Sequence, residues 1–281
     1  MRICITAALF AFAVSACGPL SADTYFISWH AIRSGGGLAA GGPYRLNCSV
    51  GQPTAGFVNS ASLLHWIGFW AGDMPTPTVA PTLHAAKQME DGTFVSIAGK
   101  IAASGQGDFD LFFYVQEDNR SSGIRVNVPA SQISGLVRGK VVNVIGTLGT
   151  TPEGERQLTG PIVIIVSSDD TLASLGMPNR SVGGGDWGIP PEGQYGVLGG
   201  AGLNNVGLLI MTWGKVTEKG AGYLLITDGS GDAIRVSTAG LCTIPDVDDY
   251  IIVIGISSLY KPGADRLRLI LPRDDADIGR P

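Results

Sequence analysis

The chain contains an internal repeat, and each copy of the repeat is a series of short alternating strands. Two similar stretches, "LFFYVQEDNRSSGIRV" at 111–126 and "GYLLITDGSGDAIRV" at 222–236, each have the pattern of two strands joined by a polar turn. Further alternating segments precede and follow each stretch, so that each copy carries five strands, with the longer gap between the third and the fourth. The sequence therefore predicts two copies of one small β structure in tandem.

This strand order is that of an OB barrel, a five-stranded Greek-key barrel. The landmarks of the two copies coincide: Gly99-Lys100 matches Gly214-Lys215, and "VIG" at 144–146 matches "VIG" at 253–255. The pattern resembles the tandem OB-fold modules of secreted bacterial proteins of unassigned activity, over residues 85–168 and 205–278. The resemblance implies an all-β fold with two tandem five-stranded OB-like barrels, preceded by a small N-terminal antiparallel β unit.

The composition agrees with many strands and turns rather than helices. The 281 residues include 41 glycines and 16 prolines, which interrupt helices or raise their entropic cost. We expect Gly99 and Gly214 to allow the bulge or bend that closes the first strand of each barrel. Between the third and fourth strands, where this fold usually has a helix, the first copy has room for at most one turn and the second, with Pro245, for none.

The amino end has the features of an export signal. Arg2 precedes the apolar run "ICITAALFAFAVSA", which is short for a membrane span and long enough for a signal peptide. The stretch "VSACG" resembles a bacterial lipobox and predicts lipidation of Cys17; the alternative is ordinary secretion with cleavage after Ala16 or Ala22. We expect an exported protein of the cell envelope or the extracellular space, held at a membrane only through a lipid anchor.

Changes in composition divide the chain into six segments. The pattern "SGGG...Y.L..SVGQ...G...GFW" resembles a short β segment near the amino end of many secreted bacterial proteins, and "AGDMPTPTVAPTL" has the composition of a linker. The Gly-rich stretch between the copies is too long for an ordinary connection, and its aromatic residues favour a strap over a flexible spacer. The predicted segments are a signal peptide (1–22), a small β unit (23–71), a linker (72–84), barrel 1 (85–168), a strap or linker (169–204) and barrel 2 (205–281).

The sequence contains little that indicates catalysis or cofactor binding. Three histidines stand at or before the start of the first barrel, and "GGGDWG" is followed by two prolines where a phosphate-binding helix should begin. We therefore predict no catalytic residue, no cofactor and no metal site. Cys48 and Cys242 are expected to be ordinary thiols, although one long-range disulfide between them stays open.

Strand alternation predicts two outward faces with aromatic and basic residues. In each strand, the residues that alternate with these aromatic and basic ones are expected to fill the barrel. One outer face of each barrel then presents its side chains where OB folds bind nucleic acid or sugars. The alternative is that this apolar face packs against the other barrel, the strap or the N-terminal sheet. The candidate ligand-binding residues are Trp213, Lys215, Tyr223 and Arg235 on barrel 2, and Lys100, Phe112, Tyr114 and Arg125 on barrel 1.

Three functions compete on this basis. The first is a non-enzymatic exported protein whose barrels are interaction or assembly modules, with a protein or glycan partner outside the cytoplasm or with a second copy of itself. The second is binding of single-stranded nucleic acid or oligosaccharide on the aromatic faces, although a net charge of −5 disfavours a polyanion. The third is an unrecognised hydrolase. The Gly/Pro-rich stretch between the barrels further predicts that each folds separately.

Overall fold

The computed structural model describes four short strands near the amino end, and then residues 76–167 and 172–280. The four strands form two pairs: β1 (Gly35–Gly41) with β2 (Tyr44–Val50), antiparallel, and β3 (Gly56–Asn59) with β4 (Leu64–Ile67). The predicted export signal, including Cys17, lies outside the described residues, as do residues 72–75 of the predicted linker and the side chain of Cys48. Cys242 is exposed and free.

The first barrel contains five strands in the predicted order. They are β6 (Phe94–Ala102), β7 (Phe113–Gln116), β8 (Gly123–Asn127), β9 (Val141–Thr150) and β10 (Arg156–Ser167). The sheet runs β6-β7-β8-β10-β9, and antiparallel pairing between β6 and β9 closes it into a barrel. A single 3-10 turn, Ala130–Gln132, stands between the third and fourth strands, in the room predicted for one turn.

Part of the predicted linker belongs to this barrel. The short strand β5 (Thr78–Val79) pairs in parallel with β6, and the short helix α1 (Leu83–Lys87) follows it. Thr82 caps the helix by accepting a hydrogen bond from the Ala85 amide at 3.0 Å. The prolines limit this strand to two residues rather than excluding it, because an edge position needs few backbone donors.

The second barrel repeats the first. Its strands are β14 (Leu209–Gly220), β15 (Tyr223–Thr227), β16 (Ala233–Ser237), β17 (Tyr250–Tyr260) and β18 (Leu267–Leu271). Pairing between β14 and β17 closes it, and two short strands, β11 (Leu175–Gly176) and β19 (Ile278–Gly279), extend its edges. The prediction of an all-β fold with two five-stranded barrels is confirmed. No helix in the described part of the chain is long and apolar enough to cross a membrane.

Alternation fills each barrel with one set of side chains from its strands. The first core contains the aliphatic and aromatic residues predicted to point inward, and the second contains their counterparts. The inward residues of barrel 1 that the alternation predicted are Val95, Ile97, Phe113, Val115, Ile124 and Val126.

The two first-strand glycines have different roles. Gly99 has a φ of +67° and lies at a break in the pairing of β6 with β9, between Ile97 and Lys100, as expected of a bulge. The pairing of Gly214 with β17 is unbroken. A Cβ on Gly214 would lie 2.8 Å from the Thr227 carbonyl oxygen, so this glycine permits two backbones to approach closely. The irregularity in barrel 2 comes later, between Val216 and Glu218.

The two barrels share an interface. Tyr114 and Ala103 of barrel 1 form an apolar cluster with Leu209 and Ile256 of barrel 2. The backbone amide of Leu209 donates to the side-chain oxygen of Gln116 at 2.9 Å, and the Arg273 guanidinium donates to the Ala103 carbonyl at 3.0 Å. Both barrels belong to one compact unit rather than to two.

The segment from residue 172 to residue 208 is ordered and contacts both barrels; we call it the strap. It contains the hairpin β12 (Trp187–Ile189) and β13 (Glu192–Gln194). The Gln194 side chain accepts from the Arg156 amide at 3.0 Å in barrel 1. Asn205 accepts from the Ser257 hydroxyl at 2.8 Å in barrel 2. Such hydrogen bonds explain how a Gly-rich segment is held in one conformation.

Candidate functional site

An apolar groove runs along the outer face of barrel 2. The pairing of β14 with β17 sets Trp213 directly opposite Ile252 and Lys215 opposite Tyr250. Trp213 is 52% exposed and Tyr250 is 55% exposed, unusually high for large aromatic side chains beside one another. The groove has a volume of about 640 Å³, and Met211 completes its apolar floor. We call Met211, Trp213, Tyr250 and Ile252 the aromatic groove.

The sequence of β14 explains why these side chains face outward. In "LIMTWGKV", Ile210, Thr212 and Val216 are buried, so the residues between them must lie on the other face of the strand. Thr212 is satisfied inside by a hydrogen bond of 2.8 Å to the Asn179 side-chain amide. A shift of one residue would bury Trp213 and Lys215 and expose the core, so the register is strongly specified.

A charged pair borders the aromatic groove. The Lys215 ammonium donates to the Asp248 carboxylate at 2.7 Å. This hydrogen bond and the nearby negative charge raise the pKa of Lys215 above its ordinary value. The pair is exposed, so its contribution to stability is small, but it neutralises the cation that the sequence placed on this face.

Tyr223 and Arg235 lie elsewhere on the barrel. Tyr223 pairs with Gly220, seven residues beyond Trp213 along β14, which corresponds to about 20 Å. The Arg235 guanidinium lies between two rings, 3.8 Å from the centre of Tyr223 and 4.1 Å from that of Tyr260. The Tyr223 hydroxyl donates to Glu218. The four candidates of barrel 2 therefore form two separate clusters rather than one surface.

The candidate ligand-binding residues of barrel 1 do not form an open face, and the alternative interpretation, that this face packs against another part of the chain, describes the structure. Tyr114 is fully buried and Lys100 is nearly so, because barrel 2 covers the first and the loop before α1 covers the second. Phe112 is half-buried in the same apolar cluster as Tyr114, and the Arg125 guanidinium lies 3.7 Å above its ring. Lys100 forms an ion pair of 2.7 Å with Glu117. These residues contribute to the internal structure.

A buried polar network, not predicted from the sequence, lies at the interface of the barrels. The Tyr114 hydroxyl and the Ser258 hydroxyl both donate to the Glu155 carboxylate, at 3.0 and 3.2 Å. Burial raises the pKa of Glu155 and also that of Tyr114, because each loses solvation of its charged form. Burial lowers the pKa of the nearby Lys87 to about 7.

Sequence reasoning also missed Tyr250 as a member of the aromatic groove. The signal was available, since alternation in "YIIVIGISSL" buries Ile251 and Val253 and turns Tyr250 outward. Lys87 gave no such signal, because it stood just beyond the predicted linker, in a helix too short to be recognised from its sequence.

Comparisons with known proteins assign no family. No family model and no curated protein matches the chain. Among solved structures, a murine DNA-binding protein bound to double-stranded DNA matches at 10% identity, over 67% of this chain and 96% of that chain. The TM-score of this match is 0.35, too low to support an argument.

Proposed function

We propose that the protein is a non-catalytic interaction protein, and that the aromatic groove of barrel 2 docks a protein partner. The observation that carries the proposal is the exposure of Trp213 in an apolar groove, next to an equally exposed Tyr250. Monomeric soluble proteins rarely leave such groups uncovered, and tryptophan and tyrosine are frequent hot spots in interfaces.

The groove is continuous with an interface that the chain already uses. Met211 stands opposite Ile254, and Ile254 packs against the apolar cluster between the barrels. The outer face of barrel 2 thus runs from a covered part, in contact with barrel 1, to an open part at Trp213. The aromatic residues of barrel 1 already bind a folded module in this way, since barrel 2 covers Tyr114.

The chemistry around the groove favours a protein over the other ligands considered. An apolar centre bordered by the paired Lys215 and Asp248 has the arrangement of a protein interface, with an apolar core and a polar rim. A nucleic acid needs cations free to neutralise phosphates, whereas Lys215 is already paired and the net charge is −5. A glycan needs hydrogen-bonding groups, and the Thr212 hydroxyl is already hydrogen-bonded to Asn179 inside the barrel.

The proposal includes a location outside the cytoplasm. Its support is the sequence alone: Arg2, the apolar run that follows it and the lipobox-like "VSACG". Mass spectrometry of the protein expressed with its full amino end in a diderm bacterium should give a cleaved chain, with or without lipid on Cys17. An intact Met1 would contradict export.

Site-specific crosslinking tests the docking surface. A photoreactive phenylalanine analogue at position 213 should give a discrete adduct in cells that produce the protein, and mass spectrometry should identify a protein in it. The matched control is the same analogue at Thr217, which is exposed on the same strand. Equal adducts at both positions, or an adduct containing glycan or nucleic acid, would overturn the proposal.

A further inference from the structure

A second cleft lies between helix α1, the turn at 120–122 and the strap. Its volume is about 490 Å³, within the range of small-molecule sites. One wall is apolar and includes Trp187, Met177 and Leu208. Leu203, which is 89% exposed, lies on the strap at the edge of this wall. This cleft is separate from the aromatic groove; the two share Met177 as a lining residue.

The ionisable side chains that line the cleft are all basic. They are His84 and Lys87 from helix α1 and Arg120 from the turn, and the described lining contains no aspartate or glutamate. Hydroxyl and amide groups accompany them, including those of Ser121 and Asn204. A cleft lined by basic side chains and by no carboxylate favours a negatively charged ligand.

Lys87 is the distinctive member of this set. Lys87 is only 3% exposed, yet it lines the cleft. Within the described residues, its ammonium donates one hydrogen bond, to the Val206 carbonyl at 3.0 Å, although it carries three N–H groups. Burying a charge with so little compensation is costly, and an anion in the cleft would offset that cost.

The buried carboxylate of Glu155 does not fill that role. Glu155 acts on Lys87 through space, but both of its oxygens already accept hydrogen bonds from Tyr114 and Ser258, and no ion pair with Lys87 is present in the described structure. The positive charge of Arg156 disfavours the charged form of Lys87, and Arg156 itself forms an ion pair with Asp91. Below its pKa of about 7, Lys87 is thus a buried cation with unused N–H donors at the edge of an apolar cleft.

We propose that this cleft binds an organic monoanion, a carboxylate joined to an apolar chain or ring. Lys87 donates to the carboxylate, with Arg120 adding positive charge at the opening and His84 lying beside it. The apolar part lies against Trp187 and Leu203. His84 and Trp187 already contact each other, with ring centres 3.8 Å apart, so the aromatic wall and the basic groups form one surface.

Paired ligands that differ only in charge test this proposal. Octanoate and 1-octanol are titrated into the full chain by calorimetry at pH 6, with octanoate expected to bind at least tenfold more tightly. Lys87→Met should reduce octanoate binding to the level of octanol. The matched control is Lys215→Met, a lysine outside the cleft, which should leave octanoate binding unchanged.

Two further measurements keep the test decisive. Trp213→Ala should leave octanoate binding unchanged, because the aromatic groove is a different site. If Lys87→Met does not fold, octanoate affinity of the unmodified chain is measured from pH 6 to pH 9 and should fall as Lys87 loses its proton. The ionisable groups that act on Lys87 are Glu155 and Arg156, and those that share the cleft with it are His84 and Arg120. Equal binding of octanol, loss of binding in either control, or affinity independent of both Lys87 and pH would overturn the proposal.

Discussion

The Tyr114 hydroxyl donates to the Glu155 carboxylate at 3.0 Å, inside the interface between the two barrels. The Ser258 hydroxyl of barrel 2 donates to the same carboxylate at 3.2 Å, so one side chain of barrel 1 is a shared acceptor for both modules. A buried carboxylate is tolerated only where such donors compensate its lost hydration. The interface between the barrels is therefore specific as well as apolar.

Removing the Tyr114 hydroxyl should destabilise the protein. Tyr114→Phe keeps the ring but leaves Glu155 with one donor fewer in a buried site, which should cost about 1 to 3 kcal/mol of unfolding free energy. Chemical denaturation measures this loss of unfolding free energy. Tyr260→Phe is the matched control, since Tyr260 is half-exposed on barrel 2 and should change stability by no more than about 0.5 kcal/mol. Equal effects of the two substitutions would contradict a specific role for the hydroxyl.

The second barrel should not fold by itself, contrary to the expectation from the sequence. A chain of residues 205–281 would expose Leu209 and Ile256, which contact barrel 1, and would lack Val182, which belongs to the core of barrel 2. We expect no cooperative thermal transition from this fragment. A cooperative transition at the melting temperature of the full chain would show that the interface is dispensable.

The bulge at Gly99 should tolerate asparagine better than alanine. Its φ of +67° is unfavourable for a residue with a Cβ, so Gly99→Ala should cost about 1 to 2 kcal/mol, and Gly99→Asn less. A Cβ at this position would meet no other atom within 4 Å, which leaves backbone strain as the cause. Denaturation of both variants measures the order, and equal losses would point to a cause other than φ.

Strand alternation predicted the faces of both barrels but not what covers them. It placed Tyr114 and Trp213 correctly on outward faces: Phe113 and Val115 fill the core of barrel 1 while Tyr114 belongs to the cluster between the barrels, and Trp213 is exposed. One face is then covered by the second barrel and the other is open, and this depends on contacts between segments distant in the sequence. The periodicity of a strand carries no information on such contacts.

Strand periodicity also could not predict that the candidate residues of barrel 2 form two separate clusters. Trp213 and Tyr223 share an outward orientation, yet the irregularity between Val216 and Glu218 and the length of β14 keep them apart. The buried network was harder to predict, because Lys87, Glu155 and Ser258 come from three segments with no common motif. Polarity alone favours solvent-exposed positions for such residues.

Lys87 should make stability depend on pH. Its pKa in the folded protein is lowered to about 7 by burial, so between pH 7 and its ordinary value near 10.5 the unfolded chain holds a proton that the folded chain has released. Stability should therefore rise with pH in that range, by at most about 1.4 kcal/mol per pH unit.

Variants isolate this contribution from that of other groups. In Lys87→Met the rise between pH 7 and pH 9.5 should be reduced, as measured by denaturation at each pH. Lys215→Met should not reduce it, because the pKa of Lys215 is raised and its contribution has the opposite sign. A rise of the same size in Lys87→Met would mean that Lys87 titrates normally.

Replacing Trp213 should separate stability from binding. Trp213 is half-exposed, so Trp213→Ala removes little buried area and should change the unfolding free energy by less than about 1 kcal/mol. Tyr114→Ala, at an outward but covered position of barrel 1, should cost about 3 to 5 kcal/mol. If the aromatic groove docks a protein, Trp213→Ala should weaken the captured complex by more than tenfold, as loss of a hot-spot tryptophan does. Denaturation and a binding titration with the partner identified by crosslinking measure the two effects. A large loss of stability with unchanged affinity would mean that Trp213 is a structural residue and that the docking surface lies elsewhere.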